Sequence, residues 1–249
     1  MKKVSAIILR IVMLMMFGFP VFAVSPFSLP ITTIIIDPGH GGNDPGALSA
    51  NALQLEEKSV VLDLSQRIKY ELSVLIPQAT VLMTREDDRF ISLEDRARIA
   101  RTADPGVDGS SILVSIHANG SQYEEASGFE ILMKHEQKQV VFFPDDIQDW
   151  QLVRYSGMST STLNKALNLE NRQLARALQE RIASQFPDSR NRGIKEQDVW
   201  VLNASAIPSV LIEIGFITNS AESEQMTDSV WLDLMARSIA EGIILYSNR

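Results

Sequence analysis

The chain has 249 residues, 23 basic against 31 acidic, a formal charge of −8, 45% hydrophobic residues and no cysteine. That composition suits a globular protein of one large or two small domains and excludes a disordered or repeat protein. The acidic balance, with no basic run, argues against electrostatic capture by nucleic acid or an anionic wall polymer, and the missing cysteine excludes disulfides and a cysteine-linked lipid anchor.

In chain order, Lys2, Lys3 and Arg10 precede an apolar run at 11–19, then Pro20 and the small-to-medium residues Val21, Phe22 and Ala23. Basic, then apolar, then a small-residue cut site is the layout of a secretory signal, here residues 1–23. A membrane anchor needs roughly 20 uninterrupted apolar residues, and Arg10 and Pro20 bracket a shorter run. Cleavage after Ala23 leaves 20 basic and 31 acidic residues, a net −11. Residues 24–30 read as a linker.

The β-branched run at 31–36 predicts a buried strand, stopped by Asp37-Pro38-Gly39. Val61, Leu64, Ile68, Leu72 and Leu75 recur at helical spacing, predicting a helix over 57–75. A strand at 79–83, a helix at 93–101 and strands at 111–116 and 128–133 follow. Residues 134–170 have weak periodicity and are longer than a usual connection. They read either as a lid or regulatory insert or as a surface excursion with its own small core. Leu174, Leu178 and Ile182 mark another helix, ended by a turn near Pro187. Strands at 199–202 and 210–214 precede a C-terminal helix carrying Leu232, Met235, Ile239, Ile243 and Tyr246. Alternating strands and helices predict one α/β domain over 31–249, with helices on both faces of a sheet.

The chain has three histidines, His40, His117 and His135. Two stand after predicted strands, where ligands bind in open α/β sheets. His40 lies in Asp37-Pro38-Gly39-His40-Gly41-Gly42, and His117 in Ser115-Ile116-His117-Ala118-Asn119. Glu57 opens the first helix. Glu213 lies in an apolar strand, where a carboxylate is costly unless paired, hydrogen-bonded or bound to metal. Two histidines and a carboxylate form a typical catalytic zinc set with one position open for water, and a further carboxylate can then serve as general base. Taken singly, each residue has a plainer reading. The histidines can be hydrogen-bonded turn residues, Glu57 a helix-dipole acid and Glu213 the partner of a buried arginine.

The motifs together are more specific. The stretch 37–47, then Glu57-Lys58, then 115–119, then Glu213-Ile214-Gly215-Phe216-Ile217-Thr218-Asn219 resembles the N-acetylmuramoyl-L-alanine amidase family of zinc-dependent cell-wall hydrolases, of the AmiC and CwlC kind. Thr84-Arg85 with Asp87, Leu93 with Arg96, Gly128-Phe129-Glu130 and Arg192-Gly193 before Val201-Leu202 add to the match, which runs from Thr33 to the C-terminus. The resemblance implies a twisted sheet of about six strands with helices on both sides. It places zinc ligands on His40, Glu57 and His117, with Glu57 taken over its neighbour Glu56, and the catalytic glutamate on Glu213. It implies Zn2+ as cofactor and peptidoglycan as substrate, cut between the lactyl group and L-alanine. A protein activator is an expected partner, and residues 134–170 fall where some members carry an inhibitory helix. The chain is expected to be exported, periplasmic rather than extracellular, and monomeric. The alternative is a non-catalytic peptidoglycan-binding or regulatory protein on the same fold. A zinc peptidase or deacetylase acting on another wall bond would differ in its products.

Overall fold

Residues 34–36, 112–114 and 210–212 are apolar at every position, so only strands covered on both faces can bury them. They become the centre of a six-stranded sheet: β1 (Ile31–Pro38), β2 (Thr80–Met83), β3 (Ser110–Asn119), β4 (Phe129–Met133), β5 (Asn191–Glu196) and β6 (Ser209–Phe216), in the order β2-β1-β3-β6-β4-β5. The computed structural model describes residues 25–248 apart from 52 and 146, so the expected signal segment lies outside the described residues. The first four strands in that order run parallel, β4 is antiparallel to β6, and β5 is parallel to β4.

The helices are α1 (Glu57–Leu75), α2 (Leu93–Thr102), α3 (Asp149–Tyr155), α4 (Thr160–Gln185), α5 (Trp200–Asn203), α6 (Ser220–Gln225) and α7 (Ser229–Ser247). One face of the sheet is covered by α1, α4 and α7, whose Leu64, Ile68, Leu178, Ile239 and Ile243 pack on Ile34, Ile36, Ile112 and Ile212. The other face carries a smaller core in which Ala100 of α2 and Val201 and Leu202 of α5 cover Ile35, Leu113, Leu132 and Leu211. Helices thus lie on both faces of one mixed α/β sheet, as expected. No helix among the described residues is long and apolar enough to cross a membrane.

Three details depart from the sequence reading. Residues 199–202 are not a strand, because 200–203 form α5. A four-residue apolar run cannot distinguish strand from helix by periodicity, and here Val201 and Leu202 are buried while Trp200 stays 43% exposed. The sequence reading also missed β5. It is a polar edge strand, and only Ile194 of it packs against the core. Finally, residues 134–170 contain α3 and the start of α4, and their Val140, Phe142, Tyr155, Leu163 and Leu167 bury a separate cluster with Phe27 and Ala206. The Tyr155 hydroxyl donates to Ala206 O at 3.1 Å, and Ser110 Oγ donates to Phe27 O at 3.4 Å. Both contacts lie where β3 and β6 begin, so this cluster anchors at the end of the sheet opposite His117 and Glu213.

Candidate metal centre and active site

After β1 the chain crosses by α1, and it returns to β3 by way of α2 on the other face. Such a switch between neighbouring strands opens a crevice at their carboxyl ends. The crevice begins at Asp37, which is buried and accepts from Thr84 Oγ1 at 2.6 Å, Ser115 Oγ at 2.7 Å and Arg96 Nη1 at 2.7 Å. Burial alone would raise the Asp37 carboxyl, but Arg96 and the two hydroxyls outweigh it and hold the group below its ordinary value. Arg96 also donates to the carbonyls of Pro38 and His40. Fully buried Arg85 donates to Pro38 O, Gly39 O and Lys58 O at 3.1, 2.7 and 2.8 Å. Two guanidinium groups therefore fix the backbone of the turn that carries His40.

That turn needs fixing, because His40 has φ 58, a left-handed conformation that costs a residue with a Cβ roughly 1–2 kcal/mol. Its Nδ1 lies 2.9 Å from Asp44 Oδ2 and its Nε2 lies 3.1 Å from Glu57 Oε1. With the proton on Nδ1, donated to Asp44, the Nε2 lone pair faces Glu57 and is free for a cation. Burial disfavours the charged imidazolium, but Glu57 and Asp44 outweigh it and raise the pKa of His40.

Glu57 is 4% exposed. Its Oε1 lies 2.9 Å from His117 Nδ1 and accepts from Ala118 N at 3.0 Å, while Oε2 accepts from Ala47 N at 2.8 Å. Burial opposes ionisation, yet the two histidines win and hold the carboxyl far below the usual range. Glu56 instead turns outward to Lys58 at 3.5 Å. His117 lies within β3 rather than after it. Glycines make room for this packing. A Cβ at Gly39 would sit 2.3 Å from His117 Cε1, and one at Gly46, which has φ +68, would sit 2.5 Å from Glu57 Oε2.

Nε2 of His40, Oε1 of Glu57 and Nδ1 of His117 thus converge with separations that suit a small cation. Zinc–ligand bonds of about 2.0–2.1 Å at tetrahedral angles place neighbouring ligand atoms about 3.3 Å apart. One ligand atom from each of the three residues lies within 4.8 Å of the other two. The donor set and its spacing fit zinc. The third histidine, His135, follows the end of antiparallel β4, away from this cluster, and lies 3.4 Å from Glu196.

Glu213 stands directly opposite His117 in the β3–β6 ladder. Its Oε2 is buried with no hydrogen-bond partner among the described residues. Burial pushes its carboxyl up to about 7, with the charges of Glu57 and Glu130 adding and those of His117 and His40 opposing. A bound cation nearby would draw that value down. On the next strand Glu130 faces Glu213, and Asn119 Nδ2 donates to Glu130 Oε1 at 2.9 Å. A cavity of about 430 Å3 lies beside the histidines, walled by Phe90, Ile91 and Leu93 on one side and Val199, Trp200 and Val201 on the other, with Leu211 also lining it.

The structure brings His40, Glu57, His117 and Glu213 together at one end of the sheet. Asp44 lay within a motif noticed in the sequence, but its role was not foreseen, because an acid four residues beyond a histidine in a loop can point anywhere. Arg85 is sealed beneath the loop, where it supports the site by holding the carbonyls of Pro38, Gly39 and Lys58.

A mixed α/β sheet with a His–Glu–His group at the switch point defines a domain that could hold a metal ion there. The profile of the family described as N-acetylmuramoyl-L-alanine amidase matches residues 34–245, and the chain belongs to that family. It is similar to LytC, an N-acetylmuramoyl-L-alanine amidase of Bacillus subtilis, at 29% identity over 86% of this chain and 35% of LytC. It is also similar to AmiB, a probable amidase of Haemophilus influenzae, at 31% over 92% of this chain and 55% of AmiB. The chain thus spans about a third to a half of these curated relatives. Among solved structures, an N-acetylmuramoyl-L-alanine amidase of Clostridium difficile 630 superposes with a TM-score of 0.68 at 29% identity, covering 88% of this chain and 98% of that one. The CwlD amidase of Clostridioides difficile in complex with the GerS lipoprotein has a TM-score of 0.66 at 26% identity, covering 86% and 98%.

Proposed function

We propose that this chain is a zinc-dependent N-acetylmuramoyl-L-alanine amidase that hydrolyses the amide between the lactyl group of N-acetylmuramic acid and L-alanine in peptidoglycan. The observation that carries this reading is the convergence of His40 Nε2, Glu57 Oε1 and His117 Nδ1 within 3.1 Å steps, beside a half-buried glutamate whose buried oxygen has no partner among the described residues.

His40, Glu57 and His117 would hold the zinc, which when bound supplies Lewis acidity and lowers the pKa of water. Asp44 keeps His40 in the tautomer that offers Nε2. The amides of Ala47 and Ala118 keep Glu57 aimed. Glu213 takes a proton from the attacking water and returns it to the departing nitrogen of L-alanine, serving as base and then acid. A carboxyl oxygen with no hydrogen-bond partner among the described residues is free to make both transfers. The apolar walls formed by Phe90, Ile91, Leu93 and Val201 limit competing water around the scissile amide.

The reading extends to the setting. Cleavage of a signal after Ala23 would export the protein, to the periplasm in a two-membrane cell. An activating protein partner fits a family in which one member is solved with a lipoprotein. Residues 134–170 would gate access through their 139–144 stretch. Gln139, Val141 and Pro144 border a groove that shares Trp200 with the cavity, whereas the apolar anchor of the segment lies at the far end of the sheet.

The test is to purify residues 24–249 and measure metal content and peptidoglycan cleavage together, with and without a chelator. About one zinc per chain and chelator-sensitive release of peptides with new L-alanine amino termini support the proposal. Zinc without cleavage, persisting after removal of 139–144, favours a non-catalytic wall-binding protein. Free glucosamine or an internally cut peptide would instead identify another wall hydrolase.

A further inference from the structure

The face of the sheet that carries the metal-binding group continues past Glu213. His117 on β3 pairs with Glu213 on β6, and Glu213 pairs with Glu130 on β4. Directly paired residues of neighbouring strands share a face, so these side chains form a row toward the β5 edge. There Glu130 Oε2 accepts from Arg192 Nε at 3.0 Å and also pairs with Lys195 Nζ. Arg192 further donates to Ser127 O at 3.3 Å, and its guanidinium stacks 4.9 Å from the centre of the Phe216 ring.

Two cations meet on one carboxylate at the end of this row. Glu130 is 6% exposed. Burial disfavours its charge, but Lys195, Arg192 and Asn119 outweigh that and hold it ionised. One carboxylate thus serves two cations at the β5 edge. Lys195 pairs with Glu130 alone among the described residues and keeps 43% of its side chain exposed. The Lys195 ammonium has three donors and shares its one carboxylate with Arg192, beside a catalytic-type glutamate, so it can still meet a second carboxylate.

The geometry points to a carboxylate-binding subsite formed by Lys195 and Arg192, which receives the acidic second residue of the peptide stem on the leaving-group side of the cut. This rests on the amidase reading. The spacing agrees with it. Glu130 is one strand beyond Glu213, about 5 Å, and an extended peptide advances about 3.3–3.6 Å per residue. Two residues of extended stem therefore span up to about 7 Å, enough to bring the carboxylate of the second residue to the cations that meet at Glu130 while the L-alanine nitrogen lies at Glu213. Arg192, locked on Glu130 and Phe216, sets the position of the subsite. Lys195, exposed and singly paired, supplies the mobile charge.

The test uses two polymeric peptidoglycan substrates that differ only at the second stem residue, one with a free D-isoglutamate α-carboxylate and one with it amidated as D-isoglutamine. Wild type should show kcat/KM roughly tenfold higher for the free acid, the size expected of one charge-assisted hydrogen bond at a partly exposed site. In Lys195→Ala the ratio between the two substrates should fall toward one, through KM rather than kcat, and Lys195→Arg should restore it. A wild-type ratio near one, or a preference that persists in Lys195→Ala, overturns the subsite while leaving the amidase reading intact. Cleavage of neither polymer by zinc-loaded wild type overturns the amidase reading and the subsite with it.

Discussion

The two sides of the crevice are built in opposite ways. On the β1 side the groups are tied down: His40 has Asp44, Glu57 has two histidines and two backbone amides, and the carbonyls of 38–40 are held by Arg85 and Arg96. On the β6 side Glu213 keeps a buried oxygen without a partner. Glu57 is buried and Glu213 half-buried, yet it is Glu57 that is held ionised while Glu213 is pushed up to about 7. The difference is one of partners. A ligand must be held still and charged, whereas a proton carrier must be able to change state. A buried polar atom without a partner costs stability, so its presence beside a cluster of satisfied groups marks where that stability is given up for reactivity.

The contrast breaks most severely at Glu213. Glu213→Ala should lower peptidoglycan turnover roughly 10²–10⁴-fold, the range for a general acid–base group, while zinc content stays at wild-type level. Folding stability should not fall, since the substitution removes an unsatisfied group. Near-normal turnover would remove Glu213 from the mechanism.

The opposite kind of damage is expected at the tied side. Asp37→Asn leaves the buried Arg96 without its counter-charge and should cost about 3–5 kcal/mol, as breaking a buried ion pair does. Chemical denaturation would measure it, and a cost below 1 kcal/mol would show that the carbonyls of Pro38 and His40 suffice for Arg96. A smaller effect is expected one shell outward. Asp44→Ala should weaken zinc affinity about 10–100-fold without unfolding the domain, as loss of a histidine's orienting carboxylate does. Competition with a chromophoric chelator would read this directly, and unchanged affinity would show that the His40 ring is oriented by packing alone.

The mildest probe is pH. The Asp37 pKa is lowered from 3.8 in the folded protein, so its contribution to stability is full above 3.8 and lost as pH falls through the lower folded value. Wild type should therefore lose more stability than Asp37→Asn between pH 5 and strong acid, and parallel melting curves would show that the Asp37 charge does not carry this contribution.

Much of this was legible before the structure. The helix 57–75, the central strands and the order of motifs follow from apolar periodicity and from glycines flanking His40. Glu213 could be singled out because a carboxylate is unusual in an apolar strand, whereas His40, His117 and Glu57 each fit a plainer role and stood out only through the order of the motifs. Trp200 and its neighbours could not be assigned, since four apolar residues fit either period. The polar strand β5 carried no hydrophobic signal. The segment 134–170 hid its order because its core is completed by Phe27 and Ala206, far away in sequence.

By itself the sequence determined which stretches could be helix or strand and which chemical groups stood at their ends, because periodicity and residue type are local properties. Only the tertiary structure decided that β4 and β5 reverse direction, that Glu130 thereby meets Glu213, that Asp44 turns to His40, and that Arg85 and Arg96 lie beneath the loop rather than on the surface. Each of these depends on which segments become neighbours, and that is settled by burying both faces of one sheet at once.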